Sequence, residues 1–310
     1  MGTSAFSSTR RRTLALIAGA PAAVAVSRAR SQSGFAMHTR PIPASGERLP
    51  VIGLGTWQSF DVGNDPAARA PLRELLSLFA AAGARVIDSS PMYGTSESVV
   101  GDLVAELGIR DRLFFATKVW THGRDEGIRQ MEQSLRRMRV ERMDLMQVHN
   151  LADVATHART LAEWKQAGRV RHIGITHYTA SAYGEVEAQL RSGKWDFLQI
   201  NYSLGERESE RRLLPLALDK GIAVIANRPF GAGGAFRRVR GRPLPAWAAE
   251  IGIGSWAQYF LKWILGHPAI TCAIPGTGKP EHMRDNLGAG VGKLPDQRLR
   301  RRMAEHYDTL

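Results

Sequence analysis

The stretch MDLMQVHNLADVATHARTLAEWKQAGRVRHIGIT, residues 143–176, contains a strand, a helix and a second strand in succession. Residues 143–149 and 172–176 are short apolar runs with the length of buried strands, whereas residues 155–168 repeat apolar side chains at the 3.6-residue spacing of a helix. Two strands that are connected through a helix lie parallel in one sheet. This stretch therefore predicts a parallel sheet that is covered by helices.

The same alternation occurs eight times along the chain. The strand candidates are residues 51–55, 85–89, 113–118, 143–149, 172–176, 197–201, 223–227 and 270–275. Eight strand–helix units over about 250 residues match the size of a closed (β/α)8 TIM barrel. No proline- or serine-rich linker interrupts the series, so residues 31–310 are predicted to form one domain. Residues 40–50, RPIPASGERLP, carry a Ser-Gly turn between short arms and predict a hairpin across the amino-terminal mouth of the barrel.

A doubly wound dinucleotide-binding fold is the alternative for a chain of alternating strands and helices. Such a fold needs its glycine-rich phosphate loop directly after a strand. The only Gly-x-Gly-x-x-Ala pattern, GIGSWA at residues 252–257, instead follows the helical segment PAWAAE. The barrel is therefore favoured.

The first thirty residues differ in composition from the rest. Arg10, Arg11 and Arg12 precede an apolar run, residues 14–26, that is shorter than the roughly 20 residues of a membrane span. This arrangement is typical of an export signal and resembles a twin-arginine signal, with Thr13 where phenylalanine is more usual. Residues 1–30 are therefore predicted to be a signal peptide that leads to the periplasm, with no stable membrane insertion after its removal. A cytoplasmic protein is the alternative.

The chain is strongly basic, with a formal net charge of +13. Residues 1–30 hold five arginines and no acid, which leaves +8 on the remainder. A basic surface can attract nucleic acid, but no nucleic-acid motif is present and aromatics are not interleaved with the arginine-dense segment at residues 296–307. That segment is better interpreted as a solvated helix face, and no nucleic-acid partner is predicted.

The cysteine content excludes a fold that disulfides hold together. Cys272 is the only cysteine, so the chain has no intramolecular disulfide, and its apolar neighbours predict a small buried residue. No metal site is predicted.

Ionisable side chains stand at the ends of successive predicted strands. Asp88 follows the second strand, Lys118 ends the third, His149 ends the fourth, and Tyr93 lies five residues beyond Asp88. Each alone has an ordinary interpretation, such as a polar loop, a surface lysine or a core histidine. Together they are unusual, because buried ionisable groups are costly unless they pair, and the carboxyl ends of barrel strands carry the chemistry of this fold.

These four residue types suit one kind of proton transfer. A tyrosine has a pKa near 10, and a nearby lysine ammonium lowers it by favouring the phenolate. An aspartate paired with the lysine keeps it charged and in place, and a neutral histidine can donate a hydrogen bond to a carbonyl oxygen. The set suits protonation of a carbonyl oxygen while hydride reaches the carbon.

Seven segments of the chain resemble those of a known family. From about residue 38 to residue 290 it is similar to the aldo-keto reductases, on the segments LPVIGLGTWQS (49–59), VIDSSPMYG (86–94), FFATKVW (114–120), MDLMQVHN (143–150), RHIGITHYT (171–179), FLQINYSL (197–204) and IPGTGKPEHMRDNL (274–287). The resemblance implies that Tyr93 is the general acid, that Lys118 and Asp88 tune it, and that His149 positions the substrate. By the same resemblance, Trp57 and Trp120 form walls of the substrate pocket.

The resemblance also implies a nicotinamide dinucleotide. Thr176 and Gln199 are expected to bind the nicotinamide carboxamide, together with His177, which stands where the family usually has asparagine. After the seventh strand many members have an aromatic that stacks on the nicotinamide, whereas this chain has Asn227 in the segment NRPFG. The other expected cofactor residues are Arg228, Pro229, Gly231, Gly233, Thr277, Lys279 and Asn286.

The phosphate end of that cofactor departs from the family pattern. The glycine-rich segment around Gly231 and Gly233 lets backbone amides approach a pyrophosphate closely. The family's usual basic pair for the 2′-phosphate falls on Gly276 and His282, neither of which is a fixed cation. NADPH is the expected cofactor, and NADH remains open.

The expected protein is thus a monomeric barrel that reduces a small aldehyde or ketone. An exported protein would need to retain its cofactor tightly. The alternative on the same barrel is a nucleotide-binding sensor or accessory protein that does not turn over, which the absent aromatic at Asn227 motivates.

Overall fold

Ten strands form two sheets within residues 36–310, the part of the chain that a computed structural model describes. Their bounds are β1 (Thr39–Pro41), β2 (Arg48–Pro50), β3 (Leu54–Gly55), β4 (Val86–Asp88), β5 (Phe114–Val119), β6 (Met143–His149), β7 (Val170–Thr176), β8 (Phe197–Asn201), β9 (Ala223–Asn227) and β10 (Ile270–Ala273). β1 and β2 are antiparallel, and β3 to β10 lie parallel in chain order. The predicted signal peptide, residues 1–30, lies outside the described residues.

The edges of the eight-stranded sheet meet and close the barrel. Ile52 forms a parallel bridge with Ala273, beside β10. The amide of Gly53 donates to the oxygen of Ala273 at 2.8 Å, and the amide of Ala273 donates to the oxygen of Val51 at 2.9 Å. The predicted (β/α)8 TIM barrel is therefore confirmed.

Helices cover the outside of the barrel between the strands. Their bounds are α1 (Pro66–Ala81), α2 (Ser96–Leu107), α3 (Arg124–Arg137), α4 (Val154–Gln166), α5 (Tyr183–Ser192), α6 (Leu213–Asp219), α7 (Gly234–Arg238), α8 (Trp256–Leu265), α9 (Pro280–Gly288) and α10 (Gln297–Asp308). In α1 the apolar face, formed by Leu72, Leu75, Leu76 and Phe79, is buried. Within residues 36–310 none of the helices has the length and apolarity needed to cross a bilayer.

The hairpin β1–β2 covers the amino-terminal end of the barrel, as the sequence predicts. Its Ile42 and Leu49 are buried in the barrel interior beside Phe114 and Phe197. Glu47 forms an ion pair at 3.1 Å with Arg85, the residue before β4. It forms a second ion pair with Arg171 in β7. Apolar packing and these ion pairs together close that end. Cys272 is buried in the same interior, as predicted.

The arginine-dense C-terminal segment forms α10, and the interpretation as a solvated face is wrong for one of its residues. Arg298, Arg301 and Arg302 are exposed, but Arg300 is only 8% exposed. The guanidinium of Arg300 donates to Glu210 at 2.6 Å and to the oxygen of Trp263 at 2.9 Å. Arg300 therefore anchors α10 to the barrel, because these acceptors satisfy a charge that burial alone would disfavour.

Candidate active site

A cavity of about 750 Å³ lies at the carboxyl ends of the barrel strands. Asp88, Tyr93, Lys118 and His149 all line it, although they come from three different strands and one loop. The side chains that the sequence predicts to lie together are therefore brought together.

A buried ion pair forms the base of the cavity. Asp88 ends β4, where it lies opposite Ala116 of β5, so that Lys118 stands two residues farther along and on the same face. Lys118 Nζ donates to Asp88 Oδ2 at 2.7 Å and to the backbone oxygen of Ser89 at 2.6 Å. The side chains are 1% and 5% exposed, so this pair is held out of water by two neighbouring strands.

The ion pair keeps Lys118 charged. Burial favours its neutral form, but the negative charge of Asp88, followed by the contact with Tyr93, outweighs burial and raises the pKa of Lys118. Gln147 of β6 supports the pair from the other side, since its Nε2 donates to Asp88 Oδ1 at 3.2 Å. Sequence reasoning missed Gln147, yet it is the only amide side chain in β6 and shares a face with His149 two residues on.

Tyr93 is carried over the ion pair by a tight turn. Its amide donates to the oxygen of Ser90 at 3.0 Å, and Gly94 follows with φ +58°, in the region that favours glycine. Asp61, from the loop after β3, accepts from the amide and the hydroxyl of Thr95, both at 2.8 Å. The loop of Tyr93 is thereby attached to the neighbouring loop.

The phenol of Tyr93 remains protonated at neutral pH. Lys118 Nζ lies 5.1 Å from the centroid of the ring. Burial raises the pKa of Tyr93, Lys118 lowers it and Asp88 raises it, and the net shift is upward. The lowering by the lysine that the sequence predicts is therefore present, but it is smaller than the effect of burial, because the phenolate loses more solvation than one ammonium restores.

His149 is neutral in this environment. Burial, followed by the charge of Lys118 and the proximity of His177, lowers the pKa of His149 to about 3. Ser90 Oγ lies 3.1 Å from His149 Nδ1, and the ring meets the edge of the Tyr93 ring at 6.1 Å between centroids. When Ser90 donates to Nδ1, the proton of the imidazole is on Nε2, where it can be donated to a ligand. Ser90 was also missed by sequence reasoning.

Apolar side chains surround the mouth of the cavity. Trp57 and Trp120 both line it, as expected, and are 54% and 44% exposed. Met92 also lines it and is 42% exposed, and the Trp120 ring lies 6.3 Å from that of His149. Large apolar groups that remain exposed around a polar centre are typical of a ligand-binding site.

The expected cofactor residues divide into two groups. Thr176, Gln199, Arg228, Pro229 and Gly233 line the cavity, whereas His177, Gly231, Thr277, Lys279 and Asn286 do not. Thr277 and Lys279 are in the loop between β10 and α9, and Asn286 is buried in α9. The second group thus lies outside the wall of the cavity itself.

Two residues at the barrel centre fit the nicotinamide carboxamide. Thr176 Oγ1 donates to Gln199 Oε1 at 2.8 Å, which leaves the buried Nε2 of Gln199 without an acceptor in the described residues. A buried donor without a partner is costly, and an amide oxygen of a ligand would satisfy it. The expected family cofactor therefore fits these residues.

His177 does not line the cavity. Its Nδ1 accepts from the amides of Tyr178 at 3.0 Å and Thr179 at 3.3 Å, so the ring is held against its own loop. Tyr178 lines the cavity instead and was not identified from the sequence. Asn227 also lines the cavity, and its Nδ2 donates to the oxygen of His177 at 3.1 Å.

Left-handed backbone is concentrated around the cavity. Of the seven non-glycine residues with positive φ in residues 36–310, four line it: Gln58, Asn150, Arg228 and Ala232. Such conformations cost on the order of 1–3 kcal/mol each and are found preferentially at functional sites. These four residues with left-handed backbone therefore surround the same cavity as the four ionisable side chains.

Comparison with known proteins assigns the family. The model of the aldo/keto reductase family matches residues 51–306. Over 264 residues the chain is 30% identical to the methylglyoxal reductase YeaE of Escherichia coli, covering 81% of this chain and 89% of the relative. It is 25% identical to the NADH-specific methylglyoxal reductase of E. coli, covering 86% of this chain and 98% of that protein.

Solved structures give the same result. An aldo/keto reductase from Klebsiella pneumoniae, crystallised with NADP and acetate, superimposes with a TM-score of 0.72 at 26% identity, over 84% of this chain and 93% of that protein. Sequence, fold and the arrangement of the four ionisable residues agree. The chain belongs to the aldo/keto reductase family.

Proposed function

We propose that this protein reduces an aldehyde or ketone to an alcohol with NADPH, and that Tyr93 supplies the proton. The observation that carries the proposal is the protonated phenol of Tyr93 beside the buried Lys118–Asp88 pair and the neutral His149. The nicotinamide dinucleotide, when bound, supplies hydride to the carbonyl carbon.

The side chains have separate parts in this reaction. His149 donates a hydrogen bond to the carbonyl oxygen and orients it, and Tyr93 transfers its proton to that oxygen as negative charge develops there. The ammonium of Lys118 stabilises the phenolate that results, and Asp88 holds the ammonium in position. Trp57 and Trp120 exclude water and bind the apolar part of the substrate.

The proposed cofactor residues are Thr176, His177, Gln199, Arg228, Pro229, Gly231, Gly233, Thr277, Lys279 and Asn286. A relative named for NADH specificity and a similar structure that contains NADP leave both nucleotides in consideration. NADPH is preferred, because Lys279 and the nearby Arg284 supply positive charge close to the family's 2′-phosphate position.

The proposed substrate is a small carbonyl compound. Two relatives carry the name methylglyoxal reductase, which makes methylglyoxal the first compound to assay. We propose that the protein acts as a monomer. A sensor without turnover is not favoured, since the matched relatives are reductases.

A turnover assay tests the function. Purified protein, NADPH and a panel of carbonyl compounds that begins with methylglyoxal should give steady-state oxidation of the nucleotide. Tyr93→Phe should fold, bind NADPH and lose more than about 99% of turnover, since removal of a proton donor costs on the order of 10²–10⁴ in rate. Full turnover by folded Tyr93→Phe would refute the mechanism.

We also propose export to the periplasm by the twin-arginine route. Support comes from Arg10, Arg11 and Arg12 ahead of the apolar run at residues 14–26. Fractionation of cells that express the full chain should place a shortened protein in the periplasm, and Arg11→Lys/Arg12→Lys should retain it in the cytoplasm. Intact protein in the cytosol alone would contradict the proposal.

A further inference from the structure

Glu97 is a buried carboxylate that does not line the active-site cavity. It lies in the first turn of α2 and is 1% exposed. Its Oε1 accepts from Thr117 Oγ1 at 2.6 Å, and its Oε2 accepts from Arg137 Nη1, in the last turn of α3, at 3.4 Å. A buried charge is costly for the fold unless it is paired and hydrogen-bonded. Glu97 therefore joins α2 to β5 and to α3.

The contact with Thr117 lies directly behind the active site. Thr117 and Lys118 are consecutive residues of β5, so their side chains point to opposite faces of the barrel wall. On the inner face Lys118 Nζ lies 5.1 Å from the centroid of the Tyr93 ring. On the outer face the fully buried Thr117 donates to Glu97. One strand thus contacts the proton donor on one side and the helix that follows this donor on the other.

Residues 88–97 are attached to β5 at both ends. At the first end Asp88 Oδ2 accepts from Lys118 Nζ at 2.7 Å. At the second end Glu97 accepts from the residue that precedes Lys118. Tyr93 lies between these attachments, five residues after Asp88 and four before Glu97. The position of the phenol relative to the ammonium therefore depends on both ends.

A further attachment of the same segment is exposed to solvent. Asp61 accepts from the amide and the hydroxyl of Thr95, but both residues are exposed, so water competes for these hydrogen bonds. A hydrogen bond that is held out of water is electrostatically stronger. The buried contact of Glu97 is therefore the more restrictive of the two.

The helix that carries Glu97 also packs closely against its neighbour. A Cβ at Gly101, one turn after Glu97, would overlap the backbone oxygen of Arg137, so only glycine permits this approach of α2 to the end of α3. The carboxylate itself lies near the amino terminus of α2, where a negative charge is favourable. Movement of Glu97 relative to β5 is thus coupled to movement of the whole first turn of α2.

We propose that Glu97 is a positioning residue for proton transfer, and that its hydrogen bond from Thr117 fixes the distance between Tyr93 and Lys118. The proposal rests on the proposed function, in which Tyr93 supplies the proton. A misplacement of reacting groups by about 1 Å can cost about 100-fold in rate, so a contact outside the cavity can control kcat. Without this contact, the first turn of α2 and the loop before it shift relative to β5.

Variants on both sides of the contact test the proposal. Thr117→Val removes the hydroxyl with little change of shape, and Thr117→Ser keeps the hydroxyl. Glu97→Leu removes the carboxylate, and Glu97→Leu/Thr117→Val removes the whole contact. Thr160→Val is the matched control, because Thr160 is also buried but donates to the oxygen of Thr156 within its own helix, α4. Circular dichroism and urea unfolding establish that each variant is folded and how stable it is.

Steady-state kinetics separate positioning from stability. Thr117→Val and Glu97→Leu should each lower kcat by about tenfold or more, while KM and the Kd for NADPH stay within about twofold of wild type. The isotope effect on kcat with NADPH deuterated at the nicotinamide C4 should rise, because the chemical step becomes slower than product release. Thr117→Ser should lose less than about threefold, and Thr160→Val should keep the wild-type kcat even where its stability falls.

The double variant tests whether the two residues act together. Glu97→Leu/Thr117→Val should have a kcat no lower than that of the poorer single variant, because both single variants break the same contact. Crystal structures of wild type and Thr117→Val test the attachment without turnover. The distance from Lys118 Nζ to the Tyr93 ring should be longer in the variant than in wild type.

Three results would overturn the proposal. The first is a folded Thr117→Val with kcat within about twofold of wild type. The second is a loss of kcat while Tyr93 and Lys118 keep their wild-type separation, and the third is additive losses in the double variant. Failure of the wild-type protein to reduce any carbonyl compound would instead refute the proposed function, and the two crystal structures would still decide whether the contact positions Tyr93.

Discussion

Gln147 Nε2 donates to Asp88 Oδ1 at 3.2 Å, on the side of the carboxylate opposite to Lys118. Both oxygens of Asp88 are therefore occupied, one by an ammonium and one by an amide. Gln147 is fully buried, and its own Oε1 has no partner in the described residues. The side-chain NH₂ of Gln147, and not its oxygen, is therefore the group that supports Asp88.

Replacement of Gln147 should affect catalysis through the ion pair. Gln147→Leu removes a hydrogen bond to a charged group, which costs about 1.5–3 kcal/mol of stability, partly offset because the unpaired Oε1 disappears. We expect a several-fold lower kcat with little change in KM. Urea unfolding and steady-state kinetics measure the two effects. Gln147→Glu, which places a second carboxylate beside Asp88, should be worse than Gln147→Leu, and the reverse order would contradict this role.

Removal of Lys118 should destabilise the fold as well as abolish turnover. Lys118→Met leaves Asp88 as a buried charge without its partner, at a cost of about 3–5 kcal/mol. The double variant Asp88→Asn/Lys118→Met removes that charge and should recover much of the stability while remaining inactive. Chemical unfolding of the three proteins checks this expectation. A double variant no more stable than Lys118→Met would mean that the pair is not the source of the loss.

His149 should make the fold less stable in mild acid. Its folded-state pKa of about 3 lies below the unfolded value of about 6.5, so the unfolded chain takes up a proton first as the pH falls. The stability that the neutral ring contributes is complete above about pH 6.5 and declines by about 1.4 kcal/mol per pH unit below it.

Unfolding free energies of wild type and His149→Asn between pH 4.5 and 7.5 test this slope. The decline should be shallower in the variant. The exposed His122 supplies the matched control, and His122→Gln should keep the wild-type slope. Parallel curves for wild type and His149→Asn would show that the ring is accessible to protons in the folded state.

Gly94 should tolerate no side chain. A Cβ there would lie 2.3 Å from the Asp61 carboxylate, and the φ of +58° adds strain. We expect Gly94→Ala to lower Tm and kcat together, because the loop of Tyr93 must shift. Gly46→Ala is the control, since Gly46 has φ +74° but no atom within 4 Å of the added Cβ. A loss in Gly94→Ala no greater than in Gly46→Ala would show that the loop adapts.

The barrel and its four central side chains could be predicted because they depend on local patterns. Apolar runs and helical spacing identify all eight strands, and the strand ends place Asp88, Lys118 and His149 at one face. Tyr93 could be placed at the same face, because only residues 89–92 separate it from Asp88.

Other features depend on contacts between distant segments, which spacing does not reveal. The pKa of Tyr93 is governed by burial, which is set by the packing of several loops. The direction of the His177 ring depends on the amides of its own loop, and the burial of Arg300 depends on Glu210, 90 residues earlier. The start of α6 at Leu213 also agrees with Pro215, which has no amide hydrogen and suits only the first turn of a helix.

The hairpin of β1 and β2 has a kinetic consequence. With Ile42 and Leu49 packed into the interior, the amino-terminal end of the barrel offers no route to the reacting groups. In the described residues, reactants and products therefore enter and leave through the cavity at the opposite face. Association and release then depend on the order in which the nucleotide and the carbonyl substrate arrive. Initial-rate patterns should be sequential. Product inhibition should report which of the two products leaves last.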